Sequence, residues 1–470
     1  MPSNKLSELI DAAEAGDIDY SLFEGADDKQ LEEMNQKHAF INTVDGRPMV
    51  LCYVYSPVFE KDTIEFRTPD AIKLQYSNKS VELMGGDKIK YVELGTWWVK
   101  NSRRREYETV IFDPAQDKEY KQCFNLWEGF NVAAKKGNWG KTRKHIRNII
   151  CNKDKLKFMY FIRWLAWCVQ NPQERAEVAV VLKGREGAGK GFIFTQMVQI
   201  FGRHGLHISN REHLTGKFTG HLKLISFLFA DEAYYPGDKD VEGALKQLIT
   251  EPVVTREAKF ANPVLDRNRL HIGMATNNDW VIPAGSDARR YFINEVDNKY
   301  SKGQSNNADR KRYFNPLWGE MNNGGREAML FDLLRINLKG WHPRDDIPET
   351  EELKKQQAMS LSKYHKIVYE FLEYGDFPGE YTPRRTYEVK SKQLMDHMED
   401  THHRGTKIAF RLIGSVLTEL GARTTSDPRI GRHWIFPSLN DMRKAWDKKY
   451  PKGEWKTSNE DVWTVAKLEY

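Results

Sequence analysis

The stretch that most constrains this chain is residues 177–197, E-V-A-V-V-L-K-G-R-E-G-A-G-K-G-F-I-F-T-Q-M. The apolar run from Val178 to Leu182 reads as a short buried strand. Gly184-Arg185-Glu186-Gly187-Ala188-Gly189-Lys190 follows, and a helix is expected to open near Gly191. Strand, glycine loop and helix start, in that order, make a phosphate-binding loop. Glycines let successive backbone N–H groups turn inward on phosphate oxygens, and the helix N-terminus adds partial positive charge behind them. The expected nucleotide-binding residues are therefore Gly184, Gly187, Ala188, Gly189, Lys190 and Gly191, with Lys190 following the β- and γ-phosphates. One position departs from the pattern. Where Ser or Thr ordinarily offers a hydroxyl to Mg²⁺, this chain has Gly191. Mg²⁺ readily keeps water ligands, so ATP with Mg²⁺ remains the expected cofactor pair.

The residues downstream suit hydrolysis. Leu222 to Ala230 is a hydrophobic run ending in Asp231-Glu232. Asp231 is placed to hold Mg²⁺ and Glu232 to orient and deprotonate an attacking water. Leu270 to Thr276 is expected to be a further core strand, with Asn277 at its tip either to orient the lytic water or to sense the γ-phosphate. Arg289 and Arg290 follow, where an arginine commonly reaches a neighbouring subunit's nucleotide. Between these segments, 242–249 reads as an amphipathic helix and 250–263 as a hairpin that would project Arg256 and Lys259 into a central channel as DNA contacts.

Composition bounds the rest. The net charge is +6, from 72 Lys+Arg against 66 Asp+Glu, which is compatible with nucleic acid without demanding it. Cys52, Cys123, Cys151 and Cys168 have neither zinc nor redox spacing, so reduced thiols are expected. The polar, acidic start is no signal peptide, and the most apolar run, Phe158 to Val169, is too short to span a bilayer. A cytoplasmic protein without membrane contact is the expectation. Residues 1–30 read as an acidic arm and 31–140 as a strand-rich α+β domain. Residues 141–175 read as a helical collar broken near Asn152, and 176–345 as the ATPase domain. Pro343 to Thr350 reads as a linker. In 346–440, three helices followed by a two-strand hairpin suggest a winged-helix module, its duplex-facing residues Lys407, Arg411, Arg429 and Arg432. Residues 441–470 form an unassigned tail.

Taken as a set, GREGAGKG, LISFLFADEA, LKQLITEP and MATNNDWVIPAGSDARRYF resemble the superfamily 3 helicases. More closely, they resemble the phage and mobile-element primase/helicase family, and the similarity extends upstream through RRREYETVIFDP, NLWEGFNV and WLAWCVQ, over roughly residues 35–300. The fold class expected is α/β: a P-loop AAA-like ATPase core, an N-terminal α+β and helical collar region, and a C-terminal winged helix. The resemblance implies a homo-hexameric ring with ATP between subunits, moving on single-stranded DNA in the replication of a phage or mobile element. In it Arg290, or else Arg289, matches the finger, and Lys259 the DNA-contacting hairpin lysine. No paired-carboxylate metal motif precedes the loop, so a primase is expected to be a separate partner. Three rival readings are an origin-binding initiator ATPase, an ATP-regulated DNA-binding regulator and a small-molecule kinase.

Overall fold

The computed structural model describes residues 28–58, 60–85, 88–116, 120–216, 219–233, 239–257, 263–278, 288–359, 361–381, 387–402, 410–427, 431–450, 453, 455 and 462–465. The acidic arm falls almost wholly outside these residues. So do Lys259, Lys407 and Arg429.

The runs HAFINT, PMVLCYVYS, TIEFRT and SVELMG, which read as short strands, form β1 (His38–Val44), β2 (Arg47–Ser56), β3 (Lys61–Arg67) and β4 (Ser80–Gly85), and β4 makes a hairpin with β5 (Lys88–Glu93), a strand not expected from the sequence. With β6 (Glu106–Ile111) and β7 (Cys123–Asn125), the first three build a sheet of order β3-β2-β1-β6-β7. Period-2 alternation splits its residues between two cores. Phe40, Val50 and Cys52 pack with Trp97, Trp98 and the β4–β5 hairpin. Ala39, Ile41 and Leu51 face the large core shared with the rest of the molecule. Two arginines of the 103–105 triplet are engaged locally: Arg103 pairs with Asp28 at 2.7 Å, and Arg104 lies over the Phe40 ring and pairs with Glu106.

The collar is helical in two pieces, as its periodicity indicates. Helix Gly140–His145 runs into a π turn at Ile146–Ile150 and stops where Asn152 and Lys153 both adopt positive φ, 49° and 63°. Such residues cannot continue a right-handed helix. Asp154 then caps helix Lys155–Gln170, its carboxylate accepting from the Leu156 and Lys157 amides. Trp164 in this helix is buried and donates to the Val178 carbonyl at 3.0 Å, fixing the collar to the strand that feeds the glycine loop.

That strand, β8 (Ala179–Lys183), is in a sheet with β9 (Gly205–Ile208), β10 (Phe227–Asp231), β13 (His271–Thr276) and β14 (Tyr291–Glu295). The order is β14-β8-β13-β10-β9 and every pairing is parallel. β8 and β13 are buried at every residue, as strands covered on both faces must be. Parallel pairing has one consequence for function: Gly184, Glu232 and Asn277 all emerge at the same rim. The molecule is thus a mixed α/β structure with several sheets, and the sheet that carries the glycine loop is wholly parallel.

Four expectations need correction. The hairpin expected over 250–263 runs further along the chain, its strands being β11 (Val253–Arg256) and β12 (Val264–Arg267). The 297–345 segment, whose SKGQSNNADR reads as loop with a helix expected only from Trp318 to Leu338, instead enters a helix at Asn307, because the Asn306 side chain caps it through the Asp309 amide. The 343–350 segment is docked, with Thr350 Oγ1 donating to the Ile293 carbonyl at 2.6 Å. Helix Glu351–Met359 then brings Glu352 to Lys183, a buried ion pair of 2.9 Å one residue before the glycine loop. Lastly, the unassigned tail contributes helix Leu439–Lys449, whose Met442 and Trp446 lie in one core with Phe371, Leu417 and Trp434. That core unites helices Lys363–Tyr374, Ser391–His402 and Phe410–Glu419 with strands β15 (Asp376–Phe377), β17 (Tyr387–Lys390) and β19 (Gly431–Phe436), to which β16 (Glu380–Tyr381), β18 (Arg423–Asp427) and β20 (Thr464–Val465) are paired. β18 and β19 pair antiparallel in the expected hairpin.

Candidate functional site

The glycine loop leaves β8 and turns through Gly187 and Gly189, with φ of 80° and 90°. Side chains other than glycine's rarely accept such angles. A Cβ at Gly189 would also strike Phe314 and His145 at 2.7 and 2.8 Å. Ala188 between them is fully buried. Gly191 caps helix Phe192–Phe201, and a Cβ there would meet the Phe229 ring at 2.9 Å. The missing Ser or Thr therefore has a steric cause in the neighbouring strand.

Lys190 reaches back across the loop. Its ammonium donates to the carbonyls of Gly184 (2.7 Å) and Arg185 (3.1 Å) and to Oδ1 of Asn277. Loop and β13 tip are thus joined through one lysine. Burial pushes the Lys190 ammonium below its ordinary pKa, opposed by the charges of Glu232 and Asp231. The two carboxylates leave the end of β10 differently. Asp231 faces the helix start, and its Oδ2 is 3.7 Å from Nε2 of His207 at the end of β9. Glu232 is held at φ 52°, a sparsely populated setting for a residue with a side chain. Its carboxylate accepts from Thr276 Oγ1 at 3.3 Å, and that hydroxyl in turn accepts from the Asn278 amide. Lys190, Asp231, Glu232 and Asn277, read separately from sequence, therefore converge on one rim. Among the described residues, no three or more His, Cys, Asp or Glu side chains gather to hold a metal ion.

The comparisons bear on this rim. A family described as "Family of unknown function (DUF5906)" matches residues 182–290. No curated protein matches the chain. Solved structures do. "The apo structure of NrS-1 C terminal region" aligns over 88% of this chain and 99% of that one, at TM-score 0.60 and 16% identity. "The A form apo structure of NrS-1 C terminal region-CTR" aligns over 76% and 94%, at TM-score 0.55 and 17% identity. The fold is shared with the NrS-1 C-terminal region. The family match spans the glycine loop, both carboxylates, Asn277 and the arginine pair, and leaves out everything after Arg290.

The arginines sit elsewhere. Arg289 and Arg290 occupy the turn that opens β14, and β14 runs parallel to β8 with Tyr291 beside Ala179. They therefore lie at the rim opposite the glycine loop, roughly 17 Å away along a five-residue strand. Within one chain they do not meet Lys190. Arg256 departs from expectation: it is 3% exposed and turned inward to Asp266 at 3.8 Å, so its charge is not offered at the surface of the hairpin. Arg411 and Arg432 are exposed, and both line a cavity of about 650 Å³ with Ser391, Thr418, Thr424 and Trp434. These two predicted contacts are brought together across helix and hairpin.

Sequence reasoning missed the supports of the loop. His207 and Thr276 lay in plain view beside motif residues. Others came from far along the chain and gave no spacing signal. Asn298 Oδ1 accepts from the Arg185 amide at 2.7 Å, and the Lys302 amide donates to the Glu186 carbonyl at 2.8 Å. Arg310 lies so near Gly187 that a Cβ there would come within 3.2 Å of its guanidinium. His145 is buried with its pKa lowered by burial to about 4 and contacts the Gly189 carbonyl through Nε2. A neutral ring facing a carbonyl must donate from Nε2, so Nδ1 accepts from Tyr313 Oη at 3.1 Å.

Proposed function

We propose that the protein is an ATP-driven DNA translocase and helicase serving replication of a phage or mobile element. The parallel sheet is its P-loop AAA-like ATPase core, working in a hexameric ring. The observation that carries this reading is the division of charged groups between two rims. Lys190, Asp231, Glu232 and Asn277 share one, and Arg289 and Arg290 stand at the other. A site split in this way is completed by a second copy, whose Arg290 or Arg289 would approach the nucleotide held on Lys190. Glu232, oriented by Thr276, takes the proton of the attacking water, and Asn277 reports on the terminal phosphate through its contact with Lys190.

Magnesium fits the residues present as an ion brought with the nucleotide. Asp231 would supply the protein carboxylate for it, and Phe229 leaves no room at Gly191 for the hydroxyl of the usual pattern. When bound, the ion neutralises phosphate charge. The C-terminal unit is read as a winged helix that grips duplex DNA through Arg411 and Arg432, together with Lys407 and Arg429. With Arg256 engaged internally, Lys259 remains the hairpin's candidate for the single strand.

The deciding measurement is phosphate release with and without single-stranded DNA, alongside displacement of a strand from tailed forks. DNA-stimulated turnover that Lys190→Ala abolishes is expected. Turnover in Lys190→Ala at the parental rate, or indifference to DNA, would refute the reading. The Arg411–Arg432 surface favours a second reading, an origin-binding initiator, which a footprint at one defined sequence without strand displacement would support.

A further inference from the structure

The segment after β14 wraps one flank of the glycine loop and opens a cavity of about 520 Å³. Lys299, Tyr300, Gln304, Asp309, Arg312 and Tyr313 line it. It is not remote from the phosphate-binding residues. Asn298 and Lys302, on either side of Tyr300, hold the Arg185 and Glu186 backbone, and Tyr313 reaches Gly189 through His145. Tyr300 and Tyr313 lie face to face, with ring centroids 3.8 Å apart and planes 14° apart. Aromatic side chains usually prefer offset or edge-on contacts at longer distance. A parallel pair at this spacing is instead the geometry in which bases pile. The Lys299 ammonium stands 5.4 Å from the Tyr300 centroid, an exposed and movable side chain over that ring.

We propose that this cavity is the nucleobase site of the bound nucleotide. The base displaces Lys299 and stacks on Tyr300 in line with Tyr313, and the Gln304 amide faces its hydrogen-bonding edge. A cavity of this size and mixed lining suits a small planar ligand. The inference rests on the nucleotide-binding reading above and adds to it where the base goes. It assigns function to Tyr300, Gln304 and Tyr313, which lie beyond the stretch matched by the family of unknown function.

The test compares ADP with inorganic pyrophosphate by titration calorimetry on the full chain, because only ADP carries a base. Tyr300→Ala is expected to weaken ADP roughly tenfold, within the range measured for one base–aromatic stack, and to leave pyrophosphate unchanged. Tyr300→Phe keeps the ring and should bind ADP as the parent does. If Tyr300→Ala binds ADP like the parent while Lys190→Ala does not, the base site is elsewhere and the nucleotide reading survives. Equal loss of ADP and pyrophosphate in Tyr300→Ala would mean that the ring only props the loop, which also overturns the proposal. A parent chain that binds neither ligand would remove the nucleotide reading itself.

Discussion

At Gly191, the Phe229 ring leaves no room for a Cβ. Restoring the hydroxyl of the usual loop pattern should therefore harm the protein. Gly191→Ser is expected to cost about 1–3 kcal/mol in stability through overpacking and to lower ATP turnover. Denaturant melts and ATPase assays check both effects, and Phe229→Leu in the same chain should recover part of each. A stable Gly191→Ser protein with faster turnover would contradict the steric account. Glu232 shows a second residue-scale feature, because its positive φ is strain held at a site rather than in a turn. The hydrogen bond from Thr276 gives that strain a use, since it aims the carboxylate.

Among the elements, helix Glu351–Met359 has the most to say about coupling. Its Glu352 meets Lys183 at the end of β8, and both side chains are nearly inaccessible. A buried pair is weak evidence of net stabilisation, but removing one partner is costly. Glu352→Ala is expected to destabilise the protein by about 3 kcal/mol in urea melts, whereas Glu352→Gln, which keeps hydrogen bonding next to Gln356, should cost less. A Glu352→Ala protein as stable as the parent would mean that the buried ammonium is satisfied otherwise. In sequence the helix lies between the parallel sheet and the C-terminal unit.

Four buried histidines shape the acid response of the whole molecule. Burial holds His38, His145 and His204 at about 4 and His271 at about 3. His204 is fixed as a neutral ring between the Leu224 carbonyl and the Glu128 amide. Below pH 6.5 the unfolded chain takes up protons that these rings refuse when folded, so stability falls as pH drops from 6.5 toward 4. A depression of two pKa units in one group corresponds to ~3 kcal/mol. Melting temperature followed from pH 7 to pH 4 should decline over that window, and a flat profile would contradict it. Assembly offers the other large-scale test. Arg290→Ala and Glu232→Gln subunits, each inactive alone, are expected to regain partial ATPase activity when mixed, and absence of complementation would argue against shared sites. Much of this architecture was legible in the sequence, because local rules write strands and turns into it. Alternation marked β1 to β3, the apolar runs marked β8, β10 and β13, and glycines marked the loop. Lys190, Asp231, Glu232 and Asn277 could each be named from a local motif, and the parallel pairing of the sheet then brought them to one rim. The docking of Thr350 and Glu352, the inward turn of Arg256, the tail helix in the last core, and the gathering of His145, Asn298, Tyr300 and Arg310 around the loop were not legible. Each depends on groups far apart in the chain meeting across a packed interface. Only tertiary structure decides such meetings, because burial and ion pairing act through space and leave no period in the sequence.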